Sequence, residues 1–99
     1  MNGKIKHSLC RALWDFANNN GMRVDVTGHD IEFFVDGIAY IADVDMKVHG
    51  EAGGEDDTGA WWWSDIYASV RINSITREEE TLNVDLFTWS NEIEREIAI

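Results

Sequence analysis

The chain has 99 residues, 44% of them hydrophobic, and carries a formal net charge of -11. This length suits one domain with one core, the apolar content excludes a disordered tail, and the charge repels nucleic-acid phosphates and anionic membranes. A lone cysteine excludes an internal disulfide, and no apolar run is long enough to cross a bilayer. We therefore expect one cytoplasmic domain over residues 1–99, with no direct contact to nucleic acid or membrane.

The first predicted element is a helix over residues 4–19. Its apolar residues fall on one stripe at helical spacing; they are Ile5, Leu9, Leu13, Phe16 and Ala17. The segment 18–21, Asn-Asn-Asn-Gly, then ends the helix, because Asn and Gly accept the left-handed conformation of a C-cap.

Three strands joined by two tight turns are predicted next. Apolar and polar residues alternate as in half-buried strands over 22–27, 31–35 and 38–48. Asp36-Gly37 is a strong signal for a two-residue hairpin, and Gly28-His29 suits a turn with Gly at its first central position.

These two turns predict a register in which every apolar residue faces another on the same side of the sheet. Val24 faces Phe33 across one hairpin, and Phe33 faces Tyr40 across the other. A slip of one residue in either hairpin would destroy this agreement. We therefore expect Val24, Phe33 and Tyr40 to be neighbours in the core beneath the first helix.

The remaining elements complete an α+β fold. After a Gly-rich acidic loop, a fourth strand is predicted over 61–76 with a bulge at Ser74-Ile75, followed by a charged turn and a fifth strand over 82–86. Ser90 is the predicted cap of a short last helix. Three apolar residues would dock this helix: Trp89, Ile93 and Ile97. The predicted order is α-β-β-β-β-β-α, an antiparallel β-meander with the N-terminal helix packed on one face.

No catalytic or ligand-binding motif is present. Cys10 lies beside the apolar stripe of the first helix, where a buried, inert thiol is expected. His7, His29 and His49 have no partner at the spacing of a metal site. We predict no catalytic residue, no metal ligand and no cofactor.

Carboxylates crowd one face of the predicted sheet. The registers place Asp25 opposite Glu32 and Asp30 opposite Asp43, with Asp45 following on the same face. Like charges directly opposite each other destabilise a sheet. A hard cation such as calcium could relieve the repulsion, but a solvated and screened acidic face is the interpretation that we favour.

The same face also collects large apolar side chains. Alternation directs five of them outward: Phe34, Ile41, Trp61, Trp63 and Tyr67. An exposed apolar patch of this size marks an interface, and Trp and Tyr are common interface anchors. The alternative is a second core layer in which the last helix or the long loop covers these residues.

The sequence thus predicts a non-enzymatic binding protein that presents an acidic, aromatic-rich sheet face to a basic or partly apolar protein. Asp43, Asp45 and Asp65 would select the basic partner. Small acidic inhibitors, immunity proteins and anti-defence proteins share this composition, and a DNA mimic would be a special case. A homodimer through the same face stays open, as does a small-ligand or divalent-metal module with weak enzymatic activity.

Overall fold

The structure is a computed structural model that describes residues 2–55 and 61–98, and the side chains of residues 3–51 and 65–98. Its elements in chain order are helix α1 (Asn2–Asn19), strands β1 (Arg23–Val35), β2 (Ile38–Glu55), β3 (Trp61–Arg77) and β4 (Glu80–Thr81), and helix α2 (Leu86–Ile97). The strands form one antiparallel sheet in the order β1-β2-β3-β4. The predicted α+β meander with an N-terminal helix is confirmed, with four strands instead of five.

Both helices pack on the same face of the sheet, which we call the inner face. Helix α1 lies over β1 and helix α2 over β3, and their apolar side chains join those of the strands in one hydrophobic core. The predicted stripe of α1 is buried except for Phe16, which is partly buried, and α2 is docked by the three apolar residues expected to dock it. Neither helix of the described chain is long and apolar enough to span a membrane.

The predicted turn at Gly28-His29 is wrong. Strand β1 runs through this point and pairs with β2 along its length, so that Val24 faces Val48 and not Phe33. A β-bulge lies there instead, with Gly28 in the left-handed region at φ +60°. The extra residue shifts the inward positions from even to odd numbers, which is also what a two-residue turn does.

Two other predictions from the strand pattern are confirmed. Asp36-Gly37 forms the β1–β2 hairpin with φ values of +52° and +81°, as a type I′ turn requires. Phe33 therefore faces Tyr40, and their rings stack with centroids 5.4 Å apart. The bulge in β3 is also present, one residue earlier than predicted, because Asn73 is the extra residue.

The segment before α2 differs from the prediction. The fifth strand expected over 82–86 is wrong: the last strand is Glu80–Thr81, before that segment, and α2 begins upstream of Ser90. The N-cap is Asp85, whose side chain accepts a hydrogen bond from the Thr88 N–H at 3.1 Å. A hydrogen bond from the Thr88 hydroxyl at 2.7 Å lowers the pKa of Asp85 most, and the bond from the Thr88 N–H adds to this effect, so the cap stays charged.

Ser90 has a different role, because β4 is too short to cover the outer edge of β3. The Ile72 N–H donates to Ser90 Oγ at 2.9 Å, and the Val70 N–H donates to Glu94 Oε1 at 2.9 Å. An unpaired edge is open to further strand pairing. Helix α2 therefore closes this part of the edge with its side chains.

Candidate protein-binding face

Neither helix covers the outer face of the sheet. Along β1, buried Phe33 alternates with exposed Glu32 and Phe34, and along β2 exposed Ile41 precedes buried Ala42. Since α1 and α2 both pack on the inner face, no element of the described chain lies over these outward side chains. The outer face is the candidate functional surface.

The exposed apolar side chains of this face lie at its two ends. Phe34 is 60% exposed and Ile41 is 41% exposed, and they are diagonal neighbours because Phe34 faces Ala39. Tyr67 is 58% exposed but faces His49, at the other end of β2. Residues 41 to 49 lie between the two positions, and at about 3.3 Å per residue this stretch spans roughly 26 Å. The single patch expected from alternation is therefore two patches.

Three further predicted site residues belong to the Tyr67 end. The backbone of Trp61 and Trp63 is part of β3, but their side chains lie outside the described residues, so their outward direction stays a prediction. Asp65 is exposed and has φ +51°, in the left-handed region.

The acidic residues between the two ends are paired differently from the prediction. Asp25 faces Lys47 and not Glu32, because β1 continues through the bulge and pairs with β2 instead of folding back on itself. Asp30 faces Asp43, as expected. One of the two expected like-charge pairs is thus an opposite-charge pair, which stabilises the sheet.

Asp45 is held by donors from both neighbouring strands. Its Oδ1 accepts the Gly28 N–H at 2.8 Å and the Asn73 Nδ2 at 3.1 Å, and it faces Arg71 on β3. The hydrogen bonds, that of Gly28 first, lower the pKa of Asp45, which therefore stays ionised at neutral pH. Asn73 also donates to Asp43 Oδ1 at 3.1 Å. Gly28 and Asn73, the residues of the two bulges, thus donate hydrogen bonds to carboxylates that a cation would otherwise balance.

A groove lies at the Phe34 end, between the two tight turns of the sheet. This hairpin-end groove has a volume of about 440 Å³. Its lining residues are Gly37, Ile38, Ala39, Ile41, Thr76, Glu78 and Glu79. The β1–β2 turn forms one wall and the β3–β4 turn forms the other, because Tyr40 pairs with Arg77 and brings the turns side by side.

The β3–β4 turn has unusual residues for its conformation. Glu78 and Glu79 have φ values of +50° and +68°. Both lie in the left-handed region, which costs a residue with a side chain roughly 1–2 kcal/mol. Turns of this type favour Asn-Gly or Asp-Gly, as in the turn at Asp36-Gly37. The groove therefore has a strained, acidic wall.

A second cavity, of about 330 Å³, lies between the helices. It is lined by His7, Cys10, Arg11, Trp14, Asp15 and Glu96. The Cys10 thiol donates to Glu96 Oε2 at 3.1 Å. Burial, together with the hydrogen bond and the charge of Glu96, raises the pKa of Cys10 to about 12, so the thiol is protonated and is a poor nucleophile at neutral pH. Within the described residues, no three His, Cys, Asp or Glu side chains are grouped to hold a metal.

The hairpin-end groove was not predicted from the sequence. Asp36-Gly37 and the charged segment 77–80 were both expected to be turns, but their closeness depends on the register between β2 and β3. The bulge at Asn73 changes that register by one residue. The available signal was outward-facing Ile41, four residues after the predicted hairpin turn.

The chain matches no protein-family model, and it is similar to no curated protein and to no solved structure. The candidate function therefore depends on the geometry and the charge of the outer face.

Proposed function

We propose that this chain is a non-enzymatic protein-binding domain that uses the outer face of its sheet to hold a basic, partly apolar protein in the cytoplasm. One observation carries the proposal: both helices pack on the inner face, so Phe34, Ile41 and Tyr67 are exposed on the other. Large exposed side chains at both ends of one uncovered face would anchor a partner that lies across that face. Trp61 and Trp63 would add anchors at the Tyr67 end.

The charge of the outer face supports a basic partner. Asp25 and Asp45 each have a basic residue opposite them in the register, Lys47 and Arg71. The like-charge pair Asp30 and Asp43 has no such cross-strand cation. A basic partner would balance this pair, and the chain's net charge of -11 would speed its approach.

The proposed class is that of small acidic inhibitors, immunity proteins and anti-defence proteins. A DNA-mimicking inhibitor is a special case, in which carboxylates of the outer face would stand where phosphates lie. The charge of this chain opposes a homodimer through the same acidic face.

A small-ligand module is the second candidate function. The cavity between the helices supports it, because Trp14 and Asp15 could hold a ligand with an apolar ring and a positive group. Replacing Trp14 with Phe would weaken the binding of such a ligand and leave the binding of a protein partner to the outer face unchanged.

The proposed function is tested by affinity capture from native lysate, comparing the wild type with the Phe34→Ser/Tyr67→Ser double variant. The control is Phe87→Ser, because Phe87 is 78% exposed but lies on α2. We expect a basic protein that the wild type and the control retain and the double variant loses, with unchanged melting temperatures. Binding of the purified partner should weaken with added salt. Retention of the same partners by the double variant would refute the proposal.

A further inference from the structure

The hairpin-end groove is where the outer face combines exposed apolar side chains with a concave shape. We infer that it docks an extended segment of a partner protein in which an apolar side chain is flanked by Lys or Arg. The inference rests on the proposed function and narrows it to one end of the outer face. It is argued below from the floor of the groove, its walls and the charge of the chain.

The floor of the groove is apolar and open to solvent. Ala39 and Ile41 lie on the outer face, and Ile41 is 41% exposed. Ile38 faces Val35 across the hairpin and is 38% exposed, so it borders the groove at the end of the sheet. The volume of about 440 Å³ falls within the range of clefts that bind ligands, about 300–1,000 Å³. Phe34 faces Ala39 from β1 and extends the apolar surface beyond the groove. An apolar side chain of a partner can therefore be buried here.

The two walls of the groove differ in how their charges are balanced. On the β1–β2 turn, Asp36 accepts from Lys4 Nζ at 2.9 Å and is neutralised by this ion pair. On the β3–β4 turn, no basic side chain of the described chain forms an ion pair with Glu78 or Glu79. Glu78 interacts with the neighbouring Arg77 through charge but without an ion pair. The acidic wall therefore offers Glu79, and Glu78 in part, to a cation from outside.

The nearest basic residue of the chain is held elsewhere. Arg77 precedes the acidic turn, but its guanidinium lies 5.9 Å from the centre of the Tyr40 ring and donates to the Tyr40 hydroxyl at 3.4 Å. Tyr40 is a buried residue of the inner face. Arg77 is thus directed away from the outer face.

The charge of the chain selects the occupant. A second copy would bring 19 acidic residues and only 8 Lys and Arg, so it is poorly suited to an acidic wall. A segment with Lys or Arg beside its apolar residue matches both features of the groove. The conformation of the β3–β4 turn also supports this assignment. Asn-Gly would form the turn with less strain than Glu78-Glu79, so the two glutamates are not explained by the backbone and fit a role for their charges.

The test is an NMR titration of the ¹⁵N-labelled full chain with the synthetic peptide Gly-Lys-Leu-Lys-Leu-Arg-Gly. The matched probe replaces each Lys and Arg of the peptide with Glu. We expect the basic peptide to shift the amide signals of Ile38, Ala39, Ile41 and Thr76 with saturation, and the acidic peptide to shift none of them.

Two variants with the same change in net charge test whether the acidic wall of the groove binds the peptide. Glu78→Gln/Glu79→Gln should weaken binding of the basic peptide roughly five- to tenfold, as two exposed charge pairs would. Glu92→Gln/Glu94→Gln removes two carboxylates of α2 that do not line the groove, keeps their side-chain oxygens as acceptors, and should leave the affinity unchanged. Equal weakening by both variants would overturn the inference, because general attraction would then explain the binding.

The location of the shifts separates this inference from the proposed function. Shifts around Tyr67, with none in the groove, would overturn the groove as the docking position while leaving the outer face as the binding surface. If neither peptide shifts any amide signal, the groove as the docking position is also overturned. In each case the proposed function is judged separately, by the capture experiment with Phe34→Ser/Tyr67→Ser.

Discussion

Truncating Phe33 to Ala should remove a large part of the stability of the fold. Phe33 is 4% exposed and its ring stacks on that of Tyr40 at 5.4 Å. A buried aromatic side chain removes roughly 150–250 Å² from water, which at about 25 cal/mol per Å² stabilises the fold by about 4–6 kcal/mol. Alanine retains part of this contribution, so a loss of about 3–5 kcal/mol is expected. A domain of this size has a free energy of unfolding of only about 5–15 kcal/mol.

The adjacent residue is the matched control for this prediction. Phe34 has the same side chain on the same strand, but it lies on the outer face and is 60% exposed. Phe34→Ala removes few buried contacts and should therefore cost less than about 1 kcal/mol.

Urea unfolding followed by circular dichroism measures both losses. The slope of the transition should be similar in the two variants and the wild type, so that the midpoints can be compared. A loss for Phe34→Ala as large as that for Phe33→Ala would refute the reasoning, because the outer face would then be a second core layer and not a free surface.

Three further predictions concern the β3–β4 turn, the edge of β3 and the lone thiol. Glu78→Asn/Glu79→Gly should relieve the left-handed strain and raise the melting temperature by several degrees, since about 1 kcal/mol shifts it by roughly 4–8 °C in a domain of this size. An equal rise in Glu78→Gln/Glu79→Gln would contradict this prediction, because the gain would then come from removing negative charge. Ser90→Ala should cost about 1–3 kcal/mol in urea unfolding, because the Ile72 N–H loses its acceptor; an unchanged midpoint would show that the N–H is satisfied in another way. The Cys10 pKa is raised from 9.0 to about 12, so the unfolded chain loses this proton first and stability should fall as pH rises from 9.0 to about 12. The urea midpoint of Cys10→Ala should fall less over this pH range, and an equal fall would contradict the prediction.

Much of the fold could be predicted from hydrophobic periodicity, but one turn could not be distinguished from a bulge. The inward positions change from even to odd numbers near Gly28, and both a two-residue turn and a one-residue bulge produce that change. The length of β2 was the discriminating feature. A strand that continues beyond Val48 needs a partner as long as β1, whereas the segment 31–35 alone would leave most of it unpaired.

The direction of the candidate site residues was easier to predict than their grouping. Alternation within one strand is sufficient to direct Phe34, Ile41 and Tyr67 outward. Their separation into two patches depends on the pairing of β2 with β3 across several register shifts. No local pattern in the sequence determines that pairing, and the hairpin-end groove depends on it as well.

The cap of α2 shows how tertiary contacts decide between two suitable residues. Asp85 and Ser90 are both favourable N-cap residues by type. Ser90 is buried and accepts from the Ile72 N–H, and its hydroxyl also donates to the Leu86 carbonyl at 2.6 Å. Ser90 therefore lies inside α2, where its hydroxyl serves the unpaired edge of β3, and Asp85 caps the helix.

Hydroxyl-radical footprinting of the free protein and of its complex with the captured partner tests the central claim most directly. If the outer face is the binding surface, Phe34, Ile41 and Tyr67 should be oxidised readily in the free protein, and the complex should protect them. Phe87, which is more exposed still but lies on α2, should be oxidised equally in both. Protection of Phe87 with unchanged oxidation of the three outer-face residues would contradict the claim and place the partner on the helical side.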